Sequence, residues 1–112
     1  MTTAETHLDL ATLAFAKRVK SAVLSVEPEA QVILFGSRAR GDWNEDSDWD
    51  FFVLTDRKDK WQLDRLLMKP IYQLMLEADE FIQFIQFPKS DWKAGRTPNF
   101  LVRNIREEGI LL

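Results

Sequence analysis

Two short runs, Val32-Ile33-Leu34-Phe35 and Phe51-Phe52-Val53-Leu54, are apolar without interruption, and this continuity restricts the fold more than any other feature. A strand with one wet face alternates polar and apolar residues, whereas four apolar residues in succession suit a strand covered on both faces. The β-branched and aromatic side chains in the two runs favour extended backbone. The chain must therefore lay helices on a sheet. Leu8, Ala11, Thr12, Phe15, Val19, Ala22, Val23 and Val26 recur at helical spacing, with Lys17, Arg18 and Lys20 turned outward and Pro28 ending the helix. Trp61, Leu63, Leu67, Ile71, Leu74, Met75 and Ala78 form a second helical pattern, which Pro70 is expected to kink or divide into two short helices. FIQFIQF at 81–87 reads as a third strand, ended by Pro88. A polar connection follows, then a closing helix from Pro98 at its first position to Glu108, before Gly109. The order helix, strand, strand, helix, strand, helix predicts a small α/β or α+β layer with helices packed on a sheet. A chain of 112 residues accommodates one domain, 1–112, with one modest core.

Composition narrows the chemistry. The net charge of -3 and pI near 5.1 exclude an extended nucleic-acid surface, which draws on excess Lys and Arg. Any phosphate chemistry must be local. No cysteine is present, which removes disulfides, thiolate metal sites and thiol nucleophiles. The start, MTTAETHLDL, lacks the basic and apolar regions of a signal peptide, and no apolar run approaches the ~20 residues of a membrane span. The expected location is the cytoplasm. His7, the one histidine, is read as a solvent-side residue near a fraying end.

The chemistry-bearing stretch is ILFGSRARGDWNEDSDWD at 33–50. Residues two apart on a strand share a face, with Cα atoms about 6.6 Å apart, so Asp48 and Asp50 present their carboxylates together while Trp49 faces away. Two carboxylates ~6 Å apart repel by roughly 3 kcal/mol at an effective dielectric of ~20, a cost that a divalent cation reverses. Hard oxygen ligands without His or Cys select Mg²⁺ or Mn²⁺, and Mg²⁺ takes one or two carboxylates and leaves its other positions to water and phosphate oxygens. Gly36 lets a phosphate approach the backbone at the strand end, and Ser37 adds a hydroxyl and an amide N–H. If residues 37–40 form a helical turn, its positive end adds to the attraction. Arg38 and Arg40 offer guanidinium contacts to anionic oxygens. Asp42, Glu45 and Asp46 read as a solvated loop with surface pairing to Arg38 or Arg40. The four tryptophans are dispersed and read as packing residues rather than base-stacking ones, with the alternative that Trp43, in the loop between Gly-Ser and the aspartates, borders a nucleotide. Taken one at a time, Ser-Asp at 47–48 and Gly-Ser at 36–37 also fit plain turn chemistry.

Taken together, GS, ten residues and DWD resemble the signature of minimal nucleotidyltransferases of the DNA polymerase β superfamily; FGSRARG and SDWD match its usual elaboration and REEGILL its usual close. The resemblance implies, over nearly the whole chain, a small nucleotidyltransferase fold of the α+β (mixed α/β) class, a mixed β-sheet flanked by helices. It implies Mg²⁺-dependent transfer of a nucleoside monophosphate, usually AMP from ATP, to an acceptor hydroxyl, with release of pyrophosphate. By it, Gly36 and Ser37 bind the triphosphate, helped by Arg38 and Arg40, and Asp48 and Asp50 are the catalytic metal ligands. Members of this size often act as antitoxins of HEPN-type toxins, which implies such a toxin as partner and acceptor. The family's third carboxylate falls on the next strand, where this chain has Gln83; Asp79 and Glu80 are the nearest substitutes. That departure keeps a second reading open, a catalytically degenerate nucleotide- or protein-binding module.

Overall fold

The computed structural model describes the backbone of Thr2–Thr3 and residues 8–112; His7 lies outside the described residues. Strand β1 (Thr2–Thr3) precedes helix α1 (Leu10–Val26), followed by β2 (Gln31–Phe35), the single turn α2 (Ser37–Arg40), β3 (Trp49–Leu54), α3 (Lys60–Ala78), β4 (Ile82–Phe87), α4 (Lys89–Lys93), α5 (Asn99–Glu108) and β5 (Ile110–Leu111). The sheet order is β1-β5-β2-β3-β4. β2 runs antiparallel to both β3 and β5, while β3–β4 and β1–β5 are parallel. This is the mixed sheet with flanking helices that the family resemblance implies.

Alternation along β2 and β3 divides the core in two. Val32, Leu34, Trp49, Phe51 and Val53 pack with α1 and α3 residues Ala16, Val19, Val23, Leu63, Leu67 and Ile71. Ile33, Phe52 and Leu54 face the other way, against Leu101 and Ile105 of α5. Phe51, Phe52, Leu34 and Val32 are wholly buried, so the two apolar runs are covered on both faces.

Beyond the short strands β1 and β5, which the sequence reading did not expect, and Pro98 standing as the cap before α5, further details differ from expectation. Helix α1 starts at Leu10 because Asp9 caps it, accepting hydrogen bonds from Thr12 N–H at 2.8 Å and Thr12 Oγ1 at 3.0 Å. Helix α3 passes through Pro70 undivided: proline removes the N–H that would reach the Leu66 carbonyl, and Leu66 lies on the exposed side of the helix, open to solvent. The polar connection after β4 contains α4, whose Trp92 packs at a tilt against Phe52, with ring centroids 5.4 Å apart and planes inclined by 54°.

Candidate functional site

Register builds the site. The last residue of β2, Phe35, pairs with Asp50, and Asp50 pairs with Gln83 of β4, so the three lie in one row across the sheet. Asp48, Asp50, Phe52 and Leu54 share a face by strand alternation. Phe52 and Leu54 are covered by α5, whereas Asp48 and Asp50 lie past the helix and keep partial exposure. Trp49 points to the opposite face and is buried there.

Gly36 follows directly on that row. Its φ of 79° and ψ of -162° belong to a region essentially reserved for glycine, and a Cβ at this position would run into Asp50 Oδ2. Both conformation and space therefore demand glycine, and the bare α-carbon brings the backbone turn against the carboxylate. The Gly36 carbonyl accepts from Ala39 and Arg40 N–H, each at 3.0 Å, which closes α2. Ser37 N–H and Oγ have no partner among the described residues and remain available to an anion.

A residue that the sequence reading did not single out completes the surroundings. Glu108, the last residue of α5, accepts from Gly36 N–H through Oε1 at 3.0 Å and from Arg40 Nη1 through Oε2 at 2.8 Å. It clamps both ends of the Gly36–Arg40 turn from 72 residues downstream. Glu108 lies in REEGILL at the expected helix end, but a contact across 72 residues leaves no local pattern that assigns it to this turn. Arg40 also pairs with Asp42 at 3.1 Å. Burial pushes the Asp50 carboxyl above its usual range; the adjacent charges of Asp48 and Glu108 push the same way, and Arg40 opposes them. An anionic cluster held partly out of water is the setting in which a cation is most strongly favoured.

The structure brings together Gly36, Ser37, Arg40, Asp48 and Asp50 at this end of the sheet. Gln83 joins them, its Nε2 donating to Asp48 Oδ2 at 3.2 Å. Arg38, expected beside the phosphates, is on the opposite face: it is 4% exposed, lies between Trp43 and Trp49, and donates to Ser47 O and Glu80 Oε2. Its burial among aromatic rings, with its charge already paired, keeps it from the carboxylates. Trp43 accordingly covers Arg38 instead of bordering the aspartates. Glu80 is committed to Arg38 and to Trp49 Nε1, and Asp79 closes α3 in the left-handed conformation. Neither forms a hydrogen bond or ion pair with Gln83, Asp48 or Asp50 among the described residues. A cleft of about 760 Å³ lies on that opposite face, lined by Phe15, Arg38, Trp43, Trp49, Asp79 and Glu80 among others. None of Gly36, Ser37, Asp48 and Asp50 lines it, so it is separate from the aspartate site.

The donor set fits a small hard cation held by two carboxylates, Asp48 and Asp50, with Gln83 Oε1 as a neutral oxygen within the same group. Among the described residues, no group of three His, Cys, Asp or Glu side chains is arranged to hold a metal by itself. A Mg²⁺ held by two carboxylates would leave its other positions to water and phosphate oxygens.

A mixed sheet that ends in a glycine-serine turn beside paired aspartates defines a phosphate-handling domain. The sequence profile of the nucleotidyltransferase domain matches residues 15–112, and the chain belongs to that family. No curated protein sequence matched the chain. Solved structures with a similar fold include a toxin–antitoxin complex with AMP-PNP, at 18% identity and TM-score 0.57 over 86% of this chain and 70% of that one. A candidate nucleotidyltransferase from Sulfolobus solfataricus aligns at 24% identity and TM-score 0.56, over 91% and 79% of the two chains. An MNT antitoxin in complex with tri-AMPylated Shewanella oneidensis HEPN toxin aligns at 15% identity and TM-score 0.53, over 89% and 70%. No helix among the described residues is long and apolar enough to cross a membrane.

Proposed function

We propose that this nucleotidyltransferase-domain protein transfers a nucleoside monophosphate, AMP from ATP, to a hydroxyl of a partner protein, with Mg²⁺ or Mn²⁺ bound by Asp48 and Asp50. The observation that carries this reading is the approach of Gly36 to Asp50, which sets the free N–H and hydroxyl of Ser37 beside the carboxylate pair. Ser37 would hold phosphate oxygens through these two donors, and Arg40 would add a guanidinium at the rim. A divalent ion, when bound, would stabilise charge on the attacked phosphorus and on the leaving pyrophosphate. Asp48 and Asp50 would fix the α-phosphate relative to the acceptor hydroxyl, whose nucleophilic oxygen takes the nucleotidyl group. The acceptor's proton must leave through water or a carboxylate, since Gln83 cannot accept it.

The acceptor we favour is a HEPN-type toxin, supported by the shared fold with the MNT antitoxin bound to an AMPylated toxin. The test is labelling with ATP carrying a radioactive α-phosphate, in the presence and absence of Mg²⁺, with a HEPN-type toxin as the acceptor. Metal-dependent label on the toxin, lost in Asp48→Asn, is the expected outcome; unchanged labelling by Asp48→Asn sinks the proposal.

Gln83 favours a second reading, a binding module that neutralises its partner by contact alone. Its amide donates to Asp48 where a third carboxylate would bind metal or accept a proton. Tight association with the partner, unaffected by Asp48→Asn and without detectable transfer, would establish this reading, and metal-dependent labelling would remove it.

A further inference from the structure

We infer that Arg38 is a positioning residue, acting from the far face of the sheet to hold the Gly-Ser turn, the strand carrying Asp48 and Asp50, and the strand carrying Gln83 in a fixed mutual placement. This deepens the proposed nucleotide site and rests on that reading for its affinity measurements.

The argument starts from what one side chain touches. The Arg38 guanidinium carbon is 4.3 Å from the centroid of the Trp43 ring and 4.6 Å from that of Trp49, so a ring lies on each side of it. Nη2 donates to Ser47 O at 3.1 Å, at the residue immediately before Asp48. The same nitrogen reaches Glu80 Oε2 at 3.3 Å, at the approach to β4, and Trp49 Nε1 donates to that same oxygen at 3.2 Å. Trp49 N–H in turn donates to Phe81 O at 2.8 Å, which joins the starts of β3 and β4. Arg38 itself belongs to α2, one residue past Ser37. One buried cation thus binds the phosphate turn to the entrances of both strands that carry the site's side chains.

A guanidinium suits this task because it is planar, stacks on aromatic rings and donates in fixed directions. Lysine keeps the charge but can neither lie flat between two rings nor hold this donor geometry. Nε of Arg38 is buried without a partner, which shows that the side chain is seated by its stacking and its Nη2 contacts, not by a full set of hydrogen bonds. A direct phosphate contact would require Arg38 to leave both rings and cross to the other face.

The experiment uses the full chain with Arg38→Lys, Trp43→Ala, Trp43→Phe and the Arg38→Lys/Trp43→Ala double variant. Trp43 is 39% exposed on a loop, so its variants keep the fold intact. Calorimetry reads binding of a nonhydrolysable ATP analogue with Mg²⁺, and amide hydrogen exchange reads residues 44–50. The expected result is about tenfold weaker binding for Arg38→Lys and for Trp43→Ala, a double variant no weaker than the single ones, recovery in Trp43→Phe, and faster exchange at 44–50 wherever affinity falls. An unaltered affinity and exchange in Trp43→Ala, beside a loss in Arg38→Lys, would show that Arg38 contacts phosphate directly and would overturn the inference. If the unmodified protein binds no analogue, the nucleotide reading fails on its own; exchange at 44–50 then decides the role of Arg38, and unchanged exchange in both single variants overturns it.

Discussion

Gly36 and Asp50 constrain each other at the level of single atoms. Replacing Gly36 by Ala forces a side chain into a glycine-only backbone region and against the Asp50 carboxylate. We expect a loss of about 1–3 kcal/mol of stability, seen as a lower urea midpoint with unchanged slope, together with loss of metal-dependent nucleotide binding. Asp50 carries a second prediction. Its carboxyl titrates above the usual range, chiefly through burial, so the folded state holds its proton more tightly than the unfolded chain does. Stability therefore falls as pH rises from about 4, the ordinary carboxylate value, through the raised folded value. Asp50→Asn is expected to melt higher than the parent at neutral pH, with the gap closing toward pH 4. Added Mg²⁺ should raise the melting temperature of the parent alone. Residue types and spacing made this pair legible in advance, because strand alternation fixes which carboxylates meet. The side to which Arg38 turns was not legible: residues 36 and 38 are close in sequence, yet the turn between them sends one to the aspartates and the other to the tryptophans.

Among the elements, β2, β3 and β4 were readable because each has a run that no other local structure accommodates as well. The pairs Thr2–Thr3 and Ile110–Leu111 are strands only through their neighbours; two residues carry no periodicity, and tertiary pairing alone defines them. α4 was hidden for a similar reason, since its five residues are polar apart from Trp92. The continuity of α3 at Pro70 goes with a missing hydrogen bond on the solvent side. Pro70→Ala restores an N–H to the Leu66 carbonyl and removes ring crowding. We expect a gain of about 1–3 kcal/mol in chemical denaturation, with nucleotide affinity unaltered, because Pro70 lies away from the Gly36–Asp50 row.

The molecule as a whole places its chemistry where two independently packed halves of the core meet the end of one sheet. The helices α1 and α3 secure one face and α5 the other, and Glu108 extends the α5 layer to the turn at Gly36. Glu108→Ala leaves the buried Gly36 N–H without a protein partner, and we expect a cost of about 1–3 kcal/mol with weakened analogue binding, both read from one calorimetric and thermal series. Because that bond joins residues 72 positions apart, the site also has an order in time. A nascent chain emerging from the ribosome displays the Gly-Ser turn and both aspartates long before the glutamate that clamps them has been synthesised. The signature of the chemistry is therefore exposed early, while its working geometry is withheld until translation has passed residue 108.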